Sequence, residues 1–364
     1  MSPSAATGTE RRSNTSDYGY ANARLRGMRA RLLKRERLEH FLGITDLQQL
    51  IQELMQTELA PHLEETLIHG HTAASIDEAL KRNLVATYRK VLGFLNDEAH
   101  GICTTLLGRW DVFNVKTVVR GKHLHLMAEE IAEGILPVGA LSQIDLDGLV
   151  AQGDVKGVVD VASTWELPQA PALRSGYAEY QRSGELADLE LALDHYYADW
   201  ALKRLTRRGA NYAIARRILG MQVDILNLVM VFRSARENLD AATAADYFLL
   251  GGLDVDADLY ERLAGLSDVD EILDGLRGTQ YGKLLDDAAL RYLEDLSLAV
   301  FERALEDYFT RKVLALGGTD PLGIGIPISY LWGKQNEVTN LRIIVKGAAV
   351  GMPAERTRKE LILV

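Results

Sequence analysis

The stretch Asp111-Val112-Phe113-Asn114-Val115-Lys116-Thr117-Val118-Val119-Arg120 returns as Asp224-Ile225-Leu226-Asn227-Leu228-Val229-Met230-Val231-Phe232-Arg233. It returns again as Glu337-Val338-Thr339-Asn340-Leu341-Arg342-Ile343-Ile344-Val345-Lys346, with a step of 113 both times. Each copy opens on an acid, carries the same Asn three residues later, keeps apolar residues at helical spacing and closes on a base. Self-similarity at a fixed period decides architecture before any local reading does. Such a step exceeds the ~20–50-residue units of solenoids and matches the size of a small domain. The expectation is three similar domains around a pseudo-threefold axis. A weaker echo, Asp46–Leu54, Asp154–Ala162 and Asp268–Leu276, has steps of 108 and 114, the variation that surface loops between folded units tolerate. The expected units are 17–120, 121–233 and 234–364, behind a Ser/Thr/Ala/Gly-rich, frayed tail over 1–16.

Composition narrows the class. Of 364 residues, 47% are hydrophobic and 25% charged, which suits a globular protein with large cores. The single cysteine, Cys103, rules out a disulfide framework and a cysteine zinc site and fits a reducing compartment. The N-terminus carries no apolar run of secretory type. Met221–Phe232 is the best membrane candidate, but it is short and holds Asp224, so it is expected to be a core helix with no transmembrane span. A net charge of −10 argues against nucleic acid as the main ligand.

The charge is unevenly placed. Arg24, Arg26, Arg29, Arg31, Lys34, Arg35 and Arg37 crowd a segment whose only acid is Glu36, and the segment reads as one helix. Its bland reading is a solvated face whose long side chains cover apolar neighbours. The sharper one is a docking surface, through Arg24, Arg26, Arg29 and Arg31, for an acidic partner or an anionic membrane face.

Helix is expected nearly throughout, so the fold class is all-α. Lys283–Leu316 runs 34 residues without Gly or Pro and as one helix would be about 50 Å long. Thr72–Leu92 and Glu185–Arg208 are the corresponding segments of the other copies. Ile324–Tyr330 is the only β-like run, and Gly323, Gly325 and Pro327 make it a loop or a short extended piece.

On a helical wheel, Val112, Val115, Val118 and Val119 span one arc, with Asp111 inside it, Asn114 at its edge and Arg120 nearly opposite Asp111. Asp111 and Arg120 therefore cannot pair along one helix. If the apolar face is buried, Asp111 and Asn114, Asp224 and Asn227, and Glu337 and Asn340 each need hydrogen-bond partners on other elements. We read these residues as structural fastenings to a neighbouring helix, since a catalytic group is seldom needed in three equivalent copies. Arg120, Arg233 and Lys346 complete the repeated pattern.

The search for chemistry finds no catalytic, cofactor or metal residues. The glycine-rich run 317–325 and Gly333-Lys334 lack the G-x-x-x-x-G-K-[S/T] spacing of a phosphate loop, and Gln335 stands where the hydroxyl belongs. His69 and His71, and His123 and His125, are spaced so that their rings diverge on a helix. His125 and Glu129 could share a metal, but no third ligand lies at a convincing spacing.

The three Asp/Glu-x-x-Asn helices, the opening Tyr18-Gly-Tyr20-Ala-Asn-Ala-Arg24 and the ending Tyr330-Leu-Trp-Gly-Lys334-Gln-Asn-Glu337 through Gly347 resemble the C subunit of V-type and archaeal-type rotary ATPases and ATP synthases, the counterpart of the eukaryotic d subunit. The resemblance covers about residues 17–364, and the C-terminal run is its most specific part. Lys346, where the first two copies have Arg, and Gln335, where a charged residue is common in the family, are minor departures. The resemblance implies three helical domains arranged as a funnel. It implies one copy per complex on the cytoplasmic face of the membrane, between the shaft of D and F subunits and the membrane rotor ring. Such a protein couples ATP chemistry elsewhere to proton or sodium transport and hydrolyses nothing itself. The alternative is a stand-alone helical scaffold outside the motor.

Overall fold

Nineteen α-helices, one 3-10 turn at Leu67–His69 and no strand make up the regular structure among the described residues of the computed structural model, which describes residues 18–364 except Leu296. The expected tail over 1–16 and the Leu296 position lie outside them. After α1 (Gly19–Arg29) come α2 (Arg35–Leu42), α3 (Leu47–Leu54), α4 (Ala60–Thr66), α5 (Ala73–Leu92), α6 (Asp97–His123) and the short α7 (Ala128–Glu133). The same order follows as α8 (Gln143–Val150), α9 (Val155–Thr164), α10 (Ala170–Ser183), α11 (Leu186–Arg204), α12 (Ala210–Glu237) and α13 (Ala241–Ala245). It returns once more as α14 (Ala257–Ala264), α15 (Val269–Leu276), α16 (Gly282–Asp295), α17 (Ala299–Thr319), α18 (Gly325–Ala349) and α19 (Ala354–Lys359). The starts of α5, α11 and α17 keep the repeat step without slippage, as do those of α7, α13 and α19.

The weaker echo has a local cause. Asp46, Asp154 and Asp268 are the N-caps of α3, α9 and α15, accepting from the backbone N–H groups of Gln48, Gly157 and Asp270. Each satisfies a donor that the first turn leaves open.

Packing links the copies in a cycle. The Asn-bearing helix α6 lies on α11 of the second copy, α12 on α17 of the third, and α18 on α5 of the first. Residues 228–305 hold a separate hydrophobic core, and it opens midway along α12. The buried residues of α12 up to Val223 belong to the main core, while Leu228, Val231 and Phe232 belong to the second. That core starts before residue 234 and closes at Leu305.

Three local expectations fail. Lys283–Leu316 is two helices, α16 and α17, because Leu298 and Phe301 turn into the second core. There Phe301 stacks on Phe232 with ring centroids 4.5 Å apart, and packing overrides an unbroken helical pattern. Ile324–Tyr330 is neither loop nor strand but the start of α18, while Gly317 and Gly318 lie inside α17. Pro327 stands in the first turn, where its missing N–H costs nothing, and Asp320 accepts from Gly325 N at 2.7 Å. The basic segment is two helices, α1 and α2, joined by residues 30–34. Among the described residues α12 alone is long and apolar enough to cross a membrane, and 72% of its most apolar window is buried inside the molecule.

Candidate functional site

The three asparagines make one hydrogen-bond pattern three times. Asn114 donates to Leu136 O and accepts from Leu136 N, both at 2.8 Å. Asn227 treats Leu249 likewise at 2.9 and 2.8 Å, and Asn340 treats Ile362 at 2.9 and 3.0 Å. Each partner lies 22 residues downstream. An amide offers both a donor and an acceptor, so one buried side chain satisfies both backbone groups of a residue crossing the helix.

The acids fasten the next stretch of chain. Asp111 accepts from Ala140 N at 2.8 Å and Leu141 N at 2.9 Å. Asp224 accepts from Leu253, Asp254 and Val255 N at 3.0–3.1 Å and from the Tyr281 hydroxyl at 2.9 Å. In the third copy the amide comes from far upstream: Leu33 N donates to Glu337 at 2.6 Å. With one backbone amide in place of two or three, the buried Glu337 carboxylate also pairs with buried Lys334, as an otherwise uncompensated buried charge requires. Burial raises the pKa of Asp111 above the usual carboxylate range, while the Ala140 and Leu141 amides pull the other way. Burial likewise raises that of Asp224 against the Val255 and Asp254 amides and Tyr281.

Two glycines escaped the sequence reading. A Cβ on Gly139 would stand 2.1 Å from Asp111 Oδ1, and one on Gly252 would stand 2.2 Å from Asp224 Oδ1. The signal was present, since Gly139 and Gly252 are themselves one repeat step apart.

The terminal bases reach across copies. Arg120 pairs with Glu190 on α11 through two nitrogens, and Arg233 pairs with Glu302 on α17 at 3.1–3.2 Å. Lys346 is exposed and takes no such part. One turn earlier Arg342 donates to Asp77 on α5 at 2.9 Å, and Asp77 is the equivalent of Glu190 one repeat step before it.

At the other end of these helices the equivalent positions 98, 211 and 324 touch. Asn211 donates to Glu98 at 2.6 Å and accepts from Ile324 N at 3.2 Å, while Tyr18 donates to Glu98 at 2.8 Å. The non-repeated α1 lies over this junction: Asn22 donates to Gly323 O at 3.1 Å and Arg26 to Pro321 O at 2.5 Å. Burial and Glu98 together push the Tyr18 phenol pKa up.

The basic segment is largely engaged within the molecule. Arg24 lies 4.5 Å from the Phe94 ring centroid, and the Arg29 guanidinium covers Gly317. Arg31 pairs with Glu58, Arg35 with Glu39 and Arg37 with Glu53.

Between α6, α11, α12 and α17 lies a cavity of about 450 Å³. Its walls include Trp110, Phe113, Leu226 and Phe309. Arg109 borders it with its guanidinium 4.1 Å from the Trp332 ring centroid and 5.0 Å from that of Trp110. Ion pairs of Lys116 with Asp194 and Arg120 with Glu190 line one side.

The histidines serve local contacts. His123 bonds the Tyr180 hydroxyl at 2.8 Å and His71 bonds Gln48 at 3.0 Å. Exposed His125 has φ 56°, and the side chain of His69 lies outside the described residues. No group of three or more metal-ligating residues occurs among the described residues. Cys103 is buried, which pushes its thiol pKa up to about 12.

Comparison with known proteins bears on the same residues. The model of the family described as ATP synthase (C/AC39) subunit matches residues 21–360. The C subunit of the A-type ATP synthase of Methanocaldococcus jannaschii is 27% identical over 346 residues, 95% of this chain and 86% of that protein. The C subunit of the V-type ATP synthase of Deinococcus radiodurans is 30% identical over 345 residues, 95% and 91% of the two chains. The A-type counterpart from Methanobrevibacter smithii is 32% identical over 290 residues, 79% and 74%. The three clamping asparagines, the junction at 98, 211 and 324 and the ending of α18 fall within the matched residues, with Ile362, the partner of Asn340, just beyond them, and the chain belongs to the ATP synthase (C/AC39) subunit family.

Proposed function

We propose that this protein is the non-catalytic connector in the central stalk of a V/A-type ATPase or ATP synthase. In this reading its three helical units stand around a pseudo-threefold axis as a funnel. It sits peripherally on the cytoplasmic face of the membrane as one copy per complex, joins the shaft of D and F subunits to the membrane rotor ring, and transmits torque between ATP chemistry and ion transport.

One observation carries the reading: Glu98, Asn211 and Ile324, equivalent residues of three copies, are linked by hydrogen bonds through Asn211. Three equivalent groups meet only close to an axis that relates them. Helices that meet there and are fastened in their second halves by Asn114, Asn227 and Asn340 form a close-packed body of low compressibility, which is what a torque-bearing coupling needs. Ring and shaft differ in symmetry from a threefold body, so their contacts fall where the copies differ. Arg24, Arg26, Arg29 and Arg31 belong to α1 and its following turn, which has no repeat, and are proposed as docking residues for an acidic partner or lipid headgroups.

The test is a bridging assay with purified ring on beads, D–F shaft in solution and the complete chain added or left out. Retention of the shaft only when the chain is present is the expected result. A chain that binds neither component would favour the stand-alone scaffold. Arg29→Glu with Arg31→Glu should weaken retention; unaltered retention would discard the basic docking face.

A further inference from the structure

Two polar side chains at the cavity beside α6 lack hydrogen-bond partners. Among the described residues the Arg109 guanidinium makes no hydrogen bond and no close ion pair; it stacks on Trp332 and Trp110, and the one carboxylate that acts on its charge, Glu306, does so at longer range. Gln222, the equivalent of Arg109 in the next copy, is 8% exposed, borders the same cavity, and neither its amide oxygen nor its amide nitrogen has a partner. The other charges at the cavity are spoken for. Lys116 pairs with Asp194, Arg120 with Glu190, and Glu306 accepts from Arg303 at 3.2 Å.

Stacking on indole rings offsets part of the desolvation of a guanidinium but uses none of its five N–H donors. The Arg109 donors reach the open cavity beside Trp110, Phe113, Leu226 and Phe309, whereas the Gln222 amide is buried without a partner, which is costly. A carboxylate is the group whose two oxygens match the guanidinium fork, and a primary-amide N–H beside it supplies a further donor. Phe113 and Leu226 are 42% and 43% exposed at the cavity wall, so what enters must be apolar around its acid. A cavity of about 450 Å³ holds a few side chains.

We infer that this cavity is a carboxylate-recognising socket: an apolar segment of the partner polypeptide enters it and delivers an acidic group, side chain or chain terminus, to Arg109 and Gln222. The inference rests on the connector reading for the identity of that partner, the shaft. Arg109 fixes the register of the inserted segment, while the aromatic walls supply contact area.

The test measures the affinity of the full-length chain for purified D–F shaft. Arg109→Gln should weaken binding on the order of tenfold to a hundredfold, the loss expected for a hydrogen bond to a charged group, with the melting temperature of the free chain unchanged or raised. Gln222→Leu should weaken binding less, also without lowering the melting temperature. Glu306→Gln should leave affinity within twofold; a loss as large as that of Arg109→Gln would mean that Arg109 serves an internal ion pair and would overturn the socket. Neutralising the acidic groups of the shaft tip one at a time should identify one whose loss is not additive with Arg109→Gln. Wild-type binding with Arg109→Gln within twofold, or with every tip acid additive, overturns the socket and leaves the connector standing. A wild-type chain that binds no shaft removes both.

Discussion

Asn227 holds both backbone groups of Leu249 within the buried core. Replacing it with leucine orphans one donor and one acceptor at about 1–3 kcal/mol each, so Asn227→Leu should lower stability by about 2–6 kcal/mol in calorimetry; an unchanged melting temperature would refute the clamp. The glycines beneath the acids give a second check. In Gly139→Ala the new Cβ would meet Asp111 at 2.1 Å, for a cost on the order of 1–3 kcal/mol, whereas Gly153→Ala meets nothing within 4 Å and should be near neutral. The acids also set a pH dependence. Folding raises the Asp111 carboxyl pKa through burial, so its contribution is fully present below the ordinary carboxylate value of about 4 and is lost as pH rises through the raised one. The stability of the wild type relative to Asp111→Asn should therefore shrink from pH 4 to 7 in urea unfolding, and a difference that grows with pH would contradict this. The wheel exposed Asp111 and Asn114 as buried polar groups in need of partners. It could not name Leu136 or Ala140, because which loop crosses a helix face is decided by tertiary packing.

At the scale of elements, the Asn-bearing helix α12 serves two cores. The first half of α12 packs in the main core and its second half in the core of residues 228–305. In sequence such a helix is simply long, and its apolar pattern does not mark where one core hands over to the next. For the same reason the break between α16 and α17 was illegible, since no glycine or proline announces it, unlike the break at Gly184 with φ 81° that ends α10. The glycine-rich run before α18 misled in the opposite direction, because Gly and Pro punctuate loops but are tolerated in a helix's first turn. The third copy makes the sharing testable. Ile362 sits in the Asn340 clamp, Arg358 pairs with Glu39 on α2, and Leu33 serves Glu337. Removing residues 361–364 should therefore speed amide hydrogen exchange in α2 and α3 as well as in α18. Exchange changes confined to α18 and α19 would show that the two stretches fold independently.

Across the whole molecule, the repeat step was legible at once, and with it the number of copies. Residues from both ends of the sequence combine around α18 and α2, a contact that a repeat step alone does not foretell. Three equivalent fastenings hold the Asn-bearing helices to the chain that crosses them, and the equivalent positions 98, 211 and 324 meet through Asn211. A coupling and a scaffold differ in what they connect. The direct measurement is ATP-driven ion uptake into vesicles carrying the reconstituted complex, with and without this chain, alongside ATP hydrolysis by the soluble head. The account predicts that uptake requires the chain while hydrolysis proceeds without it; equal uptake in its absence would contradict the connector.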